Sequence, residues 1–282
     1  MRATLLIHCP DQPGIIHAVT GLIQQEGGNI VYLDEHVDRQ AGVFFMRLEA
    51  DFDAGAWDAS AFRDAFSGTL ARPFEMTWSL HLDRASRMAL FVSKYVHCLY
   101  DLLGRYQAGE LRVEIPFILS NHPDCEPIAK QFGIPYYHIP ITRETRAAAE
   151  ARQLELLAAH QVDFIVLARY MQIVGPPVIA AYPNRIINIH HSFLPAFAGA
   201  KPYHAAFERG VKIIGATSHY VTEDLDEGPI IAQDVTPVSH IHSVADFIAK
   251  GRDLEKMVLA RAVALHLDHK TLVYNNKTVI FA

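Results

Sequence analysis

Apolar and polar positions follow two different rhythms along this chain. In the first, residues 3–9 form a short β-like run. Asp11-Gln12-Pro13-Gly14 then reads as a turn, with Pro13 in the first turn of the helix that follows. Ile15, Val19, Leu22 and Ile23 recur at helical spacing, and Gly27-Gly28-Asn29 ends that helix. Residues 30–37 and 43–48 read as two strands joined by a hairpin around 38–42. Trp57, Ala61, Phe62, Ala65 and Phe66 mark a second amphipathic helix. Phe74, Met76, Trp78 and Leu80 alternate as a fourth strand. The predicted order is βαββαβ, a ferredoxin-like arrangement filling residues 1–80.

The polar stretch 81–87 reads as a linker, and a second domain is expected over 88–282. Its strands are continuous apolar runs at 88–92, 113–119, 134–139 and 164–168, each separated from the next by a helical stretch. The clearest helix spans 143–160, with Ala148, Ala151, Leu154, Leu157 and Ala158 along one side. Strands alternating with helices predict a mostly parallel sheet covered on both faces. A late helix is expected over 251–269, followed by two short strands around an Asn275-Asn276 turn. Ligands in such sheets bind beyond the carboxyl ends of the strands. That rule points to Asn121, Arg169 and the region after Ile187.

Composition narrows the class. Hydrophobic residues make up 50% of the 282 positions and charged residues 20%, which is globular. The net charge of -6 disfavours nucleic acid and anionic membrane surfaces as partners. The three cysteines, Cys9, Cys98 and Cys125, form no CxxC pair, which fits a reducing compartment. The apolar run at the start is too short for a signal peptide, and no stretch reaches the length of a transmembrane helix. The expectation is a soluble cytoplasmic protein.

Candidate chemistry concentrates in Ile187-Asn188-Ile189-His190-His191-Ser192-Phe193-Leu194-Pro195. Along a strand, Asn188 and His190 are two apart and share a face. Asn188 offers an amide donor, and His190 an imidazole able to stabilise an oxyanion. A second polar group, Thr217-Ser218-His219-Tyr220, follows strand-like 213–216, and Asp226 precedes the turn at Gly228-Pro229. Asn, His and Asp together suit addition of water or another nucleophile to a carbonyl. His190, His191 and His219 are also zinc-capable donors, but their spacing is irregular and HExxH is missing, so no metal is expected. Each residue also has an ordinary alternative: Asn188 and Asp226 as turn caps, and any one of 16 histidines as a structural side chain.

Long segments carry a resemblance to a known family. They are FVSKYVHCLYDLL at 91–103, the stretch from Asn188 to Asp234 beginning NIHHSFLP, and GRDLEKMVLARAV at 251–263. Together with DQPGIIHAVTGLIQQEGGNI at 11–30, they resemble the formyltetrahydrofolate deformylases, hydrolases of the folate-dependent formyltransferase superfamily. The resemblance implies an α/β chain: an N-terminal ACT domain for regulation or assembly, then a Rossmann-like formyltransferase domain. It implies hydrolysis of 10-formyltetrahydrofolate to formate and tetrahydrofolate, which balances one-carbon folate pools and supplies formate for purine synthesis. The family's Asn-x-His motif and later Asp fall on Asn188, His190 and Asp226 as catalytic residues. Supporting positions fall on His219 and Ser192, with Ser192 ordering the loop, since no GxSxG elbow is present. Arg169, Tyr170, Met171 and Ile173 match the pterin-side loop. Asp11, Gly14 and Ile15 are the candidate ACT ligand site, with Gly14 allowing close backbone approach. No tightly bound cofactor is implied. The implied partners are folate, an amino-acid effector and further copies of the chain, as a dimer or tetramer. The chain departs from the family at Val96, where an acidic residue is expected.

Two other readings remain at this point. One is a transferase moving the formyl group to an amine such as glycinamide ribonucleotide. Its phosphate would favour a small glycine-rich loop, whereas Ser93-Lys94-Tyr95-Val96-His97-Cys98 is bulky. The other is an amino-acid sensor whose enzyme-like domain is inactive.

Overall fold

The computed structural model describes residues 1–196 and 202–281. The chain divides into two compact units, 1–84 with 269–272 and 280–282, and 85–268 with 273–279.

In the first unit, β1 (Arg2–Pro10), β2 (Asn29–Asp38), β3 (Val43–Asp51) and β4 (Thr77–Leu82) form an antiparallel sheet ordered β2-β3-β1-β4. Helices α1 (Ile15–Gln25) and α2 (Ala59–Phe66) complete the βαββαβ order. The α1 stripe Ile15, Val19, Leu22 and Ile23 is buried as its spacing predicts, against Leu5, Ile7, Met46 and Leu48 of the sheet. Pro13 lies before α1 rather than inside it, because Gly14 caps the helix in a left-handed conformation, φ 94°. Trp57 also precedes its helix, which starts after the Asp58 side chain accepts from the Ser60 and Ala61 amides.

The expected linker at 81–87 is mostly strand. His81 and Leu82 continue the ladder of β4, and Ser86 and Arg87 open β5 (Ser86–Val92), leaving 83–85 between them. Residues 269–272 and 280–282, expected in the second domain, group with the first unit. Arg47 of β3 holds that returning segment by donating to the His269 carbonyl at 2.9 Å.

The second unit carries a sheet ordered β12-β11-β10-β9-β5-β7-β8. The strands are β6 (Val113–Glu114), which pairs β5, then β7 (Ile118–Ser120), β8 (Tyr136–His138), β9 (Phe164–Leu167), β10 (Ile186–His190), β11 (Ile213–Tyr220) and β12 (Ile230–Pro237). Pairings from β8 to β10 are parallel, while β10–β11 and β11–β12 are antiparallel. The predicted strand at 113–119 is split into β6 and β7 by residues 115–117. Both sheet faces are covered. Along β5, Met88, Leu90 and Val92 enter one core with α3 (His97–Gln107), while Ala89 and Phe91 enter the opposite core. That two-sided burial is why parallel strands read as unbroken apolar runs.

The remaining helices are α4 (Glu126–Gln131), α5 (Arg146–Ala159), α6 (Pro176–Ala181), α7 (Pro202–Arg209) and α8 (Val244–Leu267). The buried face of α5 is Ala149, Gln153, Leu156 and Leu157; the expected stripe through Ala148, Ala151 and Ala158 is exposed. Alanine occupies both sides of this helix, so it does not mark the packed one. Helix α8 begins seven residues before Gly251, at a capping box between Ser243 and Asp246. The Asn275-Asn276 turn joins β13 (Thr271–Tyr274) and β14 (Lys277–Ile280), with φ 45° and 58° as a tight hairpin requires. Among the described residues, no helix is long and apolar enough to cross a membrane.

Candidate active site

The chain runs from β5 outward to β7 and β8, then returns to β9 and proceeds the other way through β10. The order therefore reverses between β5 and β9, and the crevice beyond such a switch point is where open α/β sheets bind ligands. Next to it, Asn188 and His190 lie at the carboxyl end of β10. They are paired in register with His219 and Thr217 of the antiparallel β11. The strand register thus brings two polar groups together that lie far apart in the chain.

Asp226 completes the cluster from the loop between β11 and β12. Its Oδ2 lies 3.2 Å from His190 Nδ1, and its Oδ1 lies 3.6 Å from His219 Nε2. Asn188 Nδ2 is 3.2 Å from the same His219 nitrogen. His219 donates from Nδ1 to the Tyr220 carbonyl at 2.9 Å, which leaves Nε2 to accept from the amide. The hydrogen bond from His190, and after it the nearby His219, hold the Asp226 carboxyl well below the usual carboxylate range, against the effect of burial. The other His190 nitrogen, Nε2, is buried and has no hydrogen-bond partner among the described residues. A buried nitrogen left open beside a carboxylate is available to a ligand.

Local backbone geometry aims these groups. Asp226 has φ 60°, an uncommon conformation for a residue with a side chain. Gly228 presses the loop onto β11: a Cβ there would lie 1.8 Å from the Tyr220 carbonyl oxygen. Asn276 supports the loop from the β13–β14 turn by donating to the Glu227 carbonyl at 2.8 Å.

The loop after β10 is held by Thr217. Its hydroxyl donates to the Ser192 carbonyl at 2.9 Å and accepts from the Leu194 amide at 3.0 Å. Gln233 donates to that hydroxyl and to the Leu194 carbonyl. Ser192 itself is buried and its hydroxyl has no partner among the described residues; there the ordering comes through its main chain.

The 169–173 segment follows β9. Arg169 and Tyr170 are buried: Arg169 pairs with Glu255, and the Tyr170 hydroxyl accepts from Gln153 at 3.2 Å. Their side chains serve the body of the unit, while Met171 and Ile173 are exposed. Ser93 ties this segment to two strand ends, accepting from the Met171 amide and donating to Asn121 Oδ1.

In the first unit, Asp11, Gly14 and Ile15 line a cavity of about 350 Å³ together with His17 and Glu35. Glycine is needed at 14 for its positive φ; an added Cβ would meet nothing within 4 Å.

Sequence reasoning missed Glu255, Tyr203 and Gln233. For Glu255 a signal exists, a carboxylate one turn after a glycine on an otherwise apolar helix face. His97, Cys98 and Glu255 also lie close enough to suggest a metal triad. The group fits a metal poorly. Both Glu255 oxygens already have partners, the Arg169 cation is 3.3 Å away, and burial pushes the Cys98 thiol up.

Comparison with known proteins agrees with this architecture. Residues 86–263 match the formyl transferase family, and residues 3–54 match the ACT domain. A formyltetrahydrofolate deformylase of Synechocystis is 54% identical over 283 residues, covering 100% of this chain and 99% of that protein. The crystal structure of a formyltetrahydrofolate deformylase from Pseudomonas syringae superposes with a TM-score of 0.95 at 46% identity, covering 100% of this chain and 95% of that one. A glycinamide ribonucleotide transformylase from Symbiobacterium toebii gives 0.67 at 31% identity, covering 71% of this chain and 96% of that one. With relatives matched end to end and both domains found in order, the chain belongs to the formyltetrahydrofolate deformylases of the formyl transferase family.

Proposed function

We propose that the chain hydrolyses 10-formyltetrahydrofolate to formate and tetrahydrofolate, with Asn188, His190 and Asp226 as the catalytic residues. The observation that carries this reading is the meeting of one amide, one imidazole with an open nitrogen and one ionised carboxylate at the end of β10. Water held by Asp226 attacks the formyl carbon. The carbonyl π electrons move to oxygen, and the water proton passes to Asp226. The oxyanion is met by the second N–H of Asn188 and by His190 Nε2; an imidazolium donates from both ring nitrogens at once. Collapse breaks the C–N bond, and the proton on Asp226 goes to N10 as it leaves. His219 accepts from the Asn188 amide and holds it in register. The exposed Met171 and Ile173 and the backbone of their segment suit a flat, partly apolar ring.

The test is incubation of the purified protein with 10-formyltetrahydrofolate in metal-free buffer without an acceptor amine. Formate and tetrahydrofolate are expected in equal amounts. Silence there, followed by transfer when glycinamide ribonucleotide is added, would favour the transferase reading instead.

For the first unit, the reading is a regulatory or assembly domain taking a small amino acid. Asp11 and Glu35 offer carboxylates to its ammonium group in the cavity beside α1. A thermal-shift screen of amino acids, with Asp11→Asn as control, tests the ligand, and sedimentation tests for a homo-oligomer.

A further inference from the structure

A second ionisable cluster lies in the same unit, and the proposed hydrolysis makes no use of it. Glu255 on α8 is 1% exposed. Its Oε1 accepts from the Tyr203 hydroxyl at 2.6 Å. Its Oε2 pairs with His97 Nε2 at 2.7 Å and lies 3.3 Å from Arg169 Nε. These partners come from three separate segments. His97 opens α3, just beyond β5. Arg169 follows β9 in a left-handed conformation, φ 63°. Tyr203 lies in α7, beyond the loop that leaves β10. Since β5, β9 and β10 run parallel as neighbours, their carboxyl ends share one edge of the sheet. One carboxylate therefore binds three of the chain segments that leave that edge.

The arrangement is specified on both sides of the contact. Gly251 lies one turn before Glu255 on α8, and a Cβ there would come within 2.1 Å of the Tyr203 ring. Glycine inside a helix costs about 1 kcal/mol against alanine, so its presence here is a concession to Tyr203. Burial opposes ionisation of Glu255, yet the His97 hydrogen bond, Arg169 and Tyr203 outweigh it and keep its pKa low. The Arg169 guanidinium carbon lies 5.0 Å from the centre of the Tyr95 ring, which is 41% exposed. A buried cation thus holds an exposed aromatic ring of the 93–98 segment.

We propose that Glu255 is a positioning residue of the folate cleft: acting through Arg169 and His97, it fixes the 93–98 and 169–173 segments and sets how tightly substrate is held. This role rests on the folate reading above. Glu255 touches no reacting atom, so its loss is expected in KM rather than in kcat.

Glu255→Gln keeps an acceptor for Tyr203 and removes the charge facing Arg169. The expected result is a KM for 10-formyltetrahydrofolate raised about tenfold, with kcat within about threefold of wild type. In an Arg169→Gln background the same substitution should change KM by less than about twofold, because the two act as one unit. Tyr203→Phe removes a single hydroxyl and leaves both charges; a KM rise of about two- to threefold is expected, and this variant decides the matter if Glu255→Gln does not fold. A folded variant with wild-type KM, or with only kcat reduced, overturns the role of Glu255 while hydrolysis by the wild type stands. Failure of the wild type to hydrolyse the folate overturns the folate reading itself, and this role with it.

Discussion

Two histidine–carboxylate clusters stand at strand ends in the second unit, and they are built to opposite specifications. Asp226 lies on a loop, its side chain 20% exposed, and its partner His190 keeps a buried nitrogen open. Glu255 lies within a 24-residue helix, 1% exposed, with both oxygens engaged. The same residue types therefore carry different meanings. A buried ring nitrogen left unsatisfied is an energetic cost that a ligand relieves, whereas a carboxylate engaged at both oxygens has nothing left to offer one. Reactivity is indicated by the open imidazole nitrogen beside the carboxylate, not by the presence of histidine and acid.

The contrast is broken most strongly at Asp226. Asp226→Asn should lower kcat by about a thousandfold with KM little changed, because a proton acceptor is lost and the cleft is not. Normal turnover by that variant, measured as formate release, would remove Asp226 from the reaction. Gly228→Ala should lower kcat by about a hundredfold, since the added Cβ must push the Asp226 loop off β11. A structure of this variant with the loop unmoved would contradict that explanation.

Stability should reverse the order of the two carboxylates. Glu255→Ala leaves the buried Arg169 unpaired and is expected to cost about 3–5 kcal/mol in urea unfolding. Asp226→Ala, at a partly open site, should cost about 1 kcal/mol or less. Equal losses would mean that the two clusters contribute alike to folding.

The smallest expected effect is in acid. Asp226 and Glu255 both have folded pKa values below their unfolded ones. Each contributes stability that is present above about pH 4 and is lost as pH falls through its folded value. Asp226→Asn and Glu255→Gln should each flatten the acid side of the stability profile, followed as the denaturant midpoint against pH. A profile unchanged by either substitution would show that the carboxyl groups titrate alike in both states.

The open cluster was more legible in sequence than the closed one. Asn188 and His190 announce themselves because a strand repeats every two residues and the run ends at a proline. Asp226 is marked in sequence by its place before the Gly228-Pro229 turn, but its convergence with Asn188 and His190 needed the family resemblance, since a loop has no period and its left-handed turn is not encoded by a glycine. Glu255 was hidden by its helix: α8 carries three acids, Asp246, Asp253 and Glu255, and acids on a helix are ordinarily solvated, so tertiary packing decides which one is buried. Gly251 misled in the same region, reading as a helix start when its purpose is space for Tyr203. Alanine-rich α5 misled for a related reason, since small apolar residues occur on exposed and packed faces alike. Strand polarity and element order follow from local pattern; which charge is enclosed depends on residues distant in the chain.

The hydrogen bond from Asn276 to the Asp226 loop has a consequence for how the protein is made. Asn276 lies 49 residues downstream of Glu227, whose carbonyl it holds. During synthesis the loop emerges first and must wait while α8 and the first strand of the hairpin are translated. The nascent chain therefore acquires its acid early and that acid's support from Asn276 late, so assembly of the catalytic loop waits on translation through residue 276.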